Sequence, residues 1–228
     1  MILGEVLLSL LPLIIGSAVV PVQIIIAILL LTSAKQGLAK AVALVAGMTL
    51  VRLAQGVIFG FIFTGGSSDT AGGAAESGWI VPTLMLVLAI LMLITAYRQW
   101  AKDPDPDAPP PKWLALPEKL TPLTALALGA GMILIAAKMW VFTLGTIGTI
   151  GEARLGQPSG IIVFLLFVLL AESLLLIPIL IRLIVPAQAT ALLGRVSDWL
   201  TAHNRVIVIA VSLIFGLLFL YKGVTGLL

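Results

Sequence analysis

The chain contains no cysteine, one histidine and two tyrosines, and only 10% of its 228 residues are Asp, Glu, Lys or Arg. Lack of cysteine excludes disulfides, thiol redox chemistry and thiolate metal sites. The one histidine, His203, lies at the edge of an apolar segment, and no Ser-His pairing or Asp pair occurs at membrane depth. An enzyme is therefore not expected, and neither a catalytic residue nor a metal or cofactor is assigned. No Gly-rich phosphate loop is present, which argues against ATP-driven pumping by this chain alone.

Soluble domains carry about a quarter charged residues, whereas 61% of this chain is hydrophobic. Its apolar runs are long enough to cross a hydrocarbon core of about 30 Å, and they lack the strict alternation of barrel strands. The composition therefore predicts an all-α integral membrane protein. Six apolar segments stand out, at about 6–32, 38–64, 79–98, 121–150, 159–184 and 205–227. The first opens MILGEVLLSLLPLIIG, with Glu5 and no Lys or Arg, and stays apolar to Leu31. A cleaved signal peptide has a basic start and a short apolar core, so this run is expected to be a retained span.

The loops alternate in charge. Lys35, Lys40, Arg98, Lys102, Lys112, Lys119, Arg182, Arg195 and Arg205 fall on one side, and only Arg154 and Lys222 on the other, where the second loop carries Asp69 and Glu76. This asymmetry predicts that both termini are outside and that the Pro-rich loop containing DPDPDAPPP is cytoplasmic. That loop, 99–120, reads as a solvated linker between halves 1–98 and 121–228. Three spans per half give the halves opposite topology, a 3+3 inverted repeat, and Pro12 and Pro21 in the first span are roughly echoed by Pro122 in the fourth. The stretch ALLGRVSDWLTAH puts Leu192, Leu193, Val196, Trp199 and Leu200 at helical spacing, predicting a short interfacial helix. Trp79, Trp100, Trp113 and Trp199 sit near span ends or in loops, as interfacial anchors do.

Charges at membrane depth are the informative exceptions. Arg182 lies close enough to a span end to snorkel, but Arg52, Lys138 and Glu172 fall deep within their segments. A charge at the bilayer centre costs about 2.5–3.5 kcal/mol on insertion scales, so these three should face the protein interior, water or one another. Glu172 can neutralise Arg52 or Lys138 but not both, which leaves one cation for an anionic ligand group. Gln23 and Gln55, the latter on the same helical face as Arg52, extend a polar lining. Pro12, Pro21, Gly129 and Gly131 mark expected helix breaks, a pointer to a transporter site at the midplane. A carboxylate beside a base also suits Glu172 to carry a proton.

Two stretches, PVQIIIAILLLTSAKQGLAKAVALVAGMTL and DWLTAHNRVIVIAVSLIFGLLFLYKGVTGL, resemble the glycolipid-addressing (GAP) or sulfolipid-1-addressing family of the LysE-type exporter superfamily. Members carry Asn-Pro-Lys in the fourth span where this chain has Ala136-Ala137-Lys138. The resemblance implies a six-span inverted repeat and export, in the named members of a lipid or glycolipid. The expected function is thus a secondary exporter of an anionic or zwitterionic substrate, bound by Lys138, Arg52, Glu172, Gln23 and Gln55. An amino-acid exporter of LysE type and a non-transporting subunit assisting lipid delivery are the alternatives. Expected partners are a membrane lipid or small anionic substrate and the bilayer of the cytoplasmic (inner) membrane, with a homodimer admitted and no nucleic acid.

Overall fold

The computed structural model describes residues 3–64, 79–102 and 119–228. The acidic second loop with Asp69 and Glu76, and most of the Pro-rich linker with Lys112 and Trp113, lie outside the described residues. The described residues form α1 (Leu3–Ala18), α2 (Pro21–Thr32), α3 (Gly37–Thr64), α4 (Ile80–Ala101), α5 (Pro122–Ile135), α6 (Ala137–Glu152), α7 (Gln157–Ala171), α8 (Ser173–Ile184) and α9 (Pro186–Leu227). Among them there is no strand.

Three of these helices, α3, α4 and α9, are each long and apolar enough to cross a membrane, and three bent pairs pass the same test together. The protein is therefore a multi-pass membrane protein with three to six spans. Its outer surface agrees. Leu50, Val57, Leu123 and Ile135 are exposed, while Leu10, Ile25, Leu44, Met48, Phe142 and Phe167 pack inside. An apolar exterior of this extent would be a liability in water, and it is what lipid requires.

The bent pairs have separate local causes. Between α1 and α2 the chain turns by 57°. Pro21 has no N–H, and Val20 before it takes the extended conformation that a residue preceding proline favours, φ −121° and ψ 93°. Between α5 and α6 the bend is 74°, at Ala136, which is extended with φ −81° and ψ 101°. The indole Nε1 of Trp140 reaches back 2.8 Å to Leu134 O, the carbonyl that an unbroken helix would give to the next turn. Between α7 and α8 the bend is 63° and falls on Glu172 itself. There Ser173 Oγ donates to Leu170 O at 2.7 Å, a back-bond of the kind that bends helices.

These positions correct several expectations. Pro12 lies inside α1 without interrupting it, a placement of proline that membrane helices tolerate. Gly129 and Gly131 lie within a continuous α5. Gly129 instead lets α5 touch α3, since a Cβ there would stand 2.0 Å from Leu44 O, and one on Gly47 2.1 Å from Leu126 O. The apolar segment expected at 121–150 breaks at Ala136, with no proline at the break. The short interfacial helix is not separate but forms the first part of α9, whose 42 residues run unbroken because no proline follows Pro186 at its start. At 1.5 Å per residue α9 is about 63 Å long, twice the hydrocarbon thickness, so much of it lies outside the core.

Two packings frame the interior. Antiparallel to α4, α9 brings Gly226 against Pro82, Gly223 against Leu86 and Gly216 against Leu93. At the far end Arg205 donates through Nε and Nη2 to Gln99 O and Trp100 O, at 3.1 and 2.9 Å, capping the last carbonyls of α4. The second packing is the α3 to α5 contact at Gly47 and Gly129. Arg182 Nη1 bonds Pro186 O and Thr190 Oγ1, both at 3.0 Å, and ties α8 to the start of α9. Lys40, expected as a flanking loop base, is buried, with Nζ 3.4 Å from Ser33 Oγ.

Candidate functional site

Arg52 sits about halfway along the unbroken α3 and is 1% exposed. Its guanidinium gathers partners from all three bent pairs. Nε lies 3.4 Å from Glu172 Oε1 at the α7–α8 break. Nη2 donates to Ser17 Oγ at 2.7 Å, near the end of α1, and lies 3.8 Å from Met139 Sδ, three residues past the α5–α6 break. Phe167 of α7 presents its ring 5.7 Å from Cζ, a cation–π contact. Glu172 Oε2 in turn accepts from Thr49 Oγ1 at 2.5 Å, one turn before Arg52 on α3. The expected competition for Glu172 is thus resolved in favour of Arg52.

Satisfaction of this cluster is incomplete. Arg52 Nη1 and both amide atoms of Gln55, one turn further along α3, are buried with no hydrogen-bond partner among the described residues. Gln55 does share the Arg52 face, as its spacing predicts. Gln23 is buried on α2 and is not among the residues that line the cavity described next.

Lys138 is placed differently. It makes no hydrogen bond or ion pair among the described residues, and it lines a cavity of about 250 Å³. The cavity lies between the α1–α2 break, α4, the start of α6 and α9. Val19, Val20, Met92, Val208 and Val211 supply apolar wall, and Gln99, Asn204 and Ser212 supply polar groups. Asn204 Oδ1 is buried and has no partner among the described residues. Pro21, at the break, also lines the cavity. Such a chamber offers one unneutralised ammonium, neutral polar groups and an aliphatic face, a set suited to an amphiphile with one anionic group. At about 30 Å³ per water it has room for about eight waters, or for a headgroup rather than a whole lipid.

Sequence reasoning missed Ser17, Thr49, Met139 and Asn204. Ser17 and Thr49 are weak signals in an apolar helix, where hydroxyls commonly bond their own backbone. Asn204, next to the capping Arg205, was readable as a polar residue at a span entrance. No group of three or more His, Asp or Glu able to hold a metal occurs among the described residues.

No curated protein and no solved structure matches the chain. The family described as SfLAP, Sap, sulfolipid-1-addressing protein, matches residues 10–225, nearly the whole length, and the chain belongs to that family.

Proposed function

We propose that the protein is a secondary membrane exporter of an anionic or zwitterionic lipid or glycolipid, and not an enzyme. In this reading six spans form a 3+3 inverted repeat, 1–98 and 121–228 joined by 99–120, with both termini outside the cytoplasmic membrane. The pairing of bent first spans in the two halves, α1–α2 and α5–α6, supports the repeat. The description of the family as sulfolipid-1-addressing supports the substrate class, and the sequence resemblance to LysE-type exporters supports the direction.

The observation that carries the reading is the separation of the three charges. Glu172 is held on Arg52 and Thr49, so Lys138 stands alone in a half-apolar cavity. An uncompensated cation at membrane depth is expensive unless water or an anion reaches it. The anionic headgroup enters at Lys138, with Asn204 and Gln99 bonding neighbouring hydroxyls or phosphoester oxygens, while the acyl chains stay against the bilayer. Six valine or methionine side chains in the wall favour this over an amino-acid substrate, which would leave most of that wall against water.

The test is flux in proteoliposomes of a headgroup-labelled anionic phospholipid. The parent protein should move it, Lys138→Arg should retain much of the rate, and Lys138→Ala should lose at least tenfold. Flux that is equal in the parent and Lys138→Ala proteins, or that follows a labelled amino acid instead, would refute the assignment.

A further inference from the structure

Lys138 and Arg52 stand on opposite sides of one wall. Gly16 and Lys138 line the cavity, and the next residue in each case, Ser17 and Met139, is the one Arg52 Nη2 reaches. Successive helical residues lie about 100° apart, so α1 presents the backbone of Gly16 and α6 the side chain of Lys138 to the cavity, and each turns its next side chain to the guanidinium. Polar atoms continue behind the wall. Arg52 Nη1 and both ends of the Gln55 amide are buried and unpartnered among the described residues, although Gln55 is only 3% exposed. A packed core rarely leaves such groups unmet, because each one costs free energy.

We infer that Arg52 and Glu172 form an ionic gate between the Lys138 cavity and a second polar compartment at Gln55. Glu172 is the resident counter-ion, which the anionic headgroup displaces from Arg52 as it passes. This deepens the reading of the Lys138 cavity as the substrate site and rests on it. The geometry supplies both the anchor and the moving parts. Arg52 rides on an unbroken α3 that is locked to α5 by backbone contact at Gly47 and Gly129. The three partners that meet its nitrogens all sit within a few residues of a bend: Ser17 before Val20, Met139 after Ala136, and Glu172 at the bend itself. They can therefore shift without unwinding a continuous helix. Glu172 keeps a second anchor when it leaves Arg52, since Thr49 holds its other oxygen. Arg52 Nη1 and Gln55 Nε2 are then donors facing an anion that has none of its water left.

The chain has no cysteine, so single cysteines report each compartment without background. Detergent-solubilised full-length protein carrying Val19→Cys, in the cavity, or Gln55→Cys, behind the gate, is labelled with a small charged thiosulfonate. Position 19 should react at least tenfold faster than position 55. Adding Glu172→Gln should raise the rate at position 55 at least tenfold and leave position 19 unchanged. Equal rates at the two positions in the otherwise unaltered protein overturn the gate, as does an unchanged rate at position 55 in folded Glu172→Gln protein. Should Glu172→Gln not fold, Thr49→Val removes the carboxylate's anchor without leaving a charge unpaired. It should raise the rate at position 55 severalfold, and no rise there overturns the proposal. The labelling contains no added lipid, so its failure is distinct from a failure of lipid flux.

Discussion

Placing alanine at Gly129 tests whether α3 and α5 touch through their backbones. The added methyl would stand 2.0 Å from Leu44 O, with Leu44 C and Cα also within 3.2 Å. A carbon needs about 3.3–3.6 Å from a carbonyl oxygen, so the helices must part by about 1.3 Å at the crossing. No flexible side chain can absorb the shift, because every atom met is backbone. Overpacking of this kind costs about 1–3 kcal/mol, and a clash with backbone belongs at the upper end. Gly131, two residues on, is the control: a Cβ there meets nothing within 4 Å, so alanine gains about 0.8–1 kcal/mol of helix propensity. The propensity gain is common to both substitutions, so the two variants should differ by the overpacking cost alone, about 2–3 kcal/mol, a gap of about 4–12 °C in Tm for a chain of this size. Tryptophan fluorescence during thermal unfolding in detergent measures it, with Gly131→Ala at or above the parent and Gly129→Ala well below. Equal melting of the two variants would refute the close crossing and, with it, the fixed frame on which Arg52 is held.

The Arg52–Glu172 pair gives a contrast between single and double substitution. Arg52→Met or Glu172→Leu alone should destabilise by about 3–5 kcal/mol by stranding the other charge, while the double variant should recover most of that loss; a double variant as unstable as the sum of the singles, in the same melting assay, contradicts the pairing. Trp140→Phe keeps a ring against Phe59, now 5.9 Å away centroid to centroid, but removes the bond to Leu134 O. It should cost about 1–3 kcal/mol as the carbonyl goes unmet, and unchanged Tm would show that the indole does not support the bend.

Spans were legible because hydropathy is a summed property: twenty apolar residues in a row announce a helix whatever their order. Charges at depth were legible for the opposite reason, each being a single costly exception. Breaks were legible only where proline made them. Pro21 marks the first bend, but Ala136 and Glu172 bend in sequences of ordinary helix formers, where the deciding groups are Trp140 and Ser173 reaching back to carbonyls. Nothing local tells such an indole or hydroxyl from one that faces lipid or its own helix. Pro12 misled in the reverse sense, as did Gly129, whose role depends on Leu44 in another helix. The continuity of α9 was missed because an amphipathic stretch followed by an apolar one reads as two elements when surface and core are expected to be separate. Which cation Glu172 meets is a fact of three dimensions, and counting charges could say only that one would be left.

Residues near all three bends meet at Arg52, yet the bends and the ion pair do not depend on each other. Breaking a helix inside a bilayer exposes carbonyls that must be satisfied within the protein. At two of the three bends that need is met locally, by Trp140 on Leu134 O and by Ser173 on Leu170 O. Arg52 contributes nothing to those backbone groups; its contacts are to the side chains of Ser17, Met139, Glu172 and Phe167. The bends can therefore persist whether or not Arg52 holds Glu172. A hinge that survives the loss of its latch is what a gate requires, and a latch present only to stabilise the fold would be better replaced by apolar side chains. The same reasoning explains why Lys138 is kept apart. If it could reach Glu172, the carboxylate would neutralise it, and no charge would remain in the cavity for the anionic headgroup that the proposed function places there.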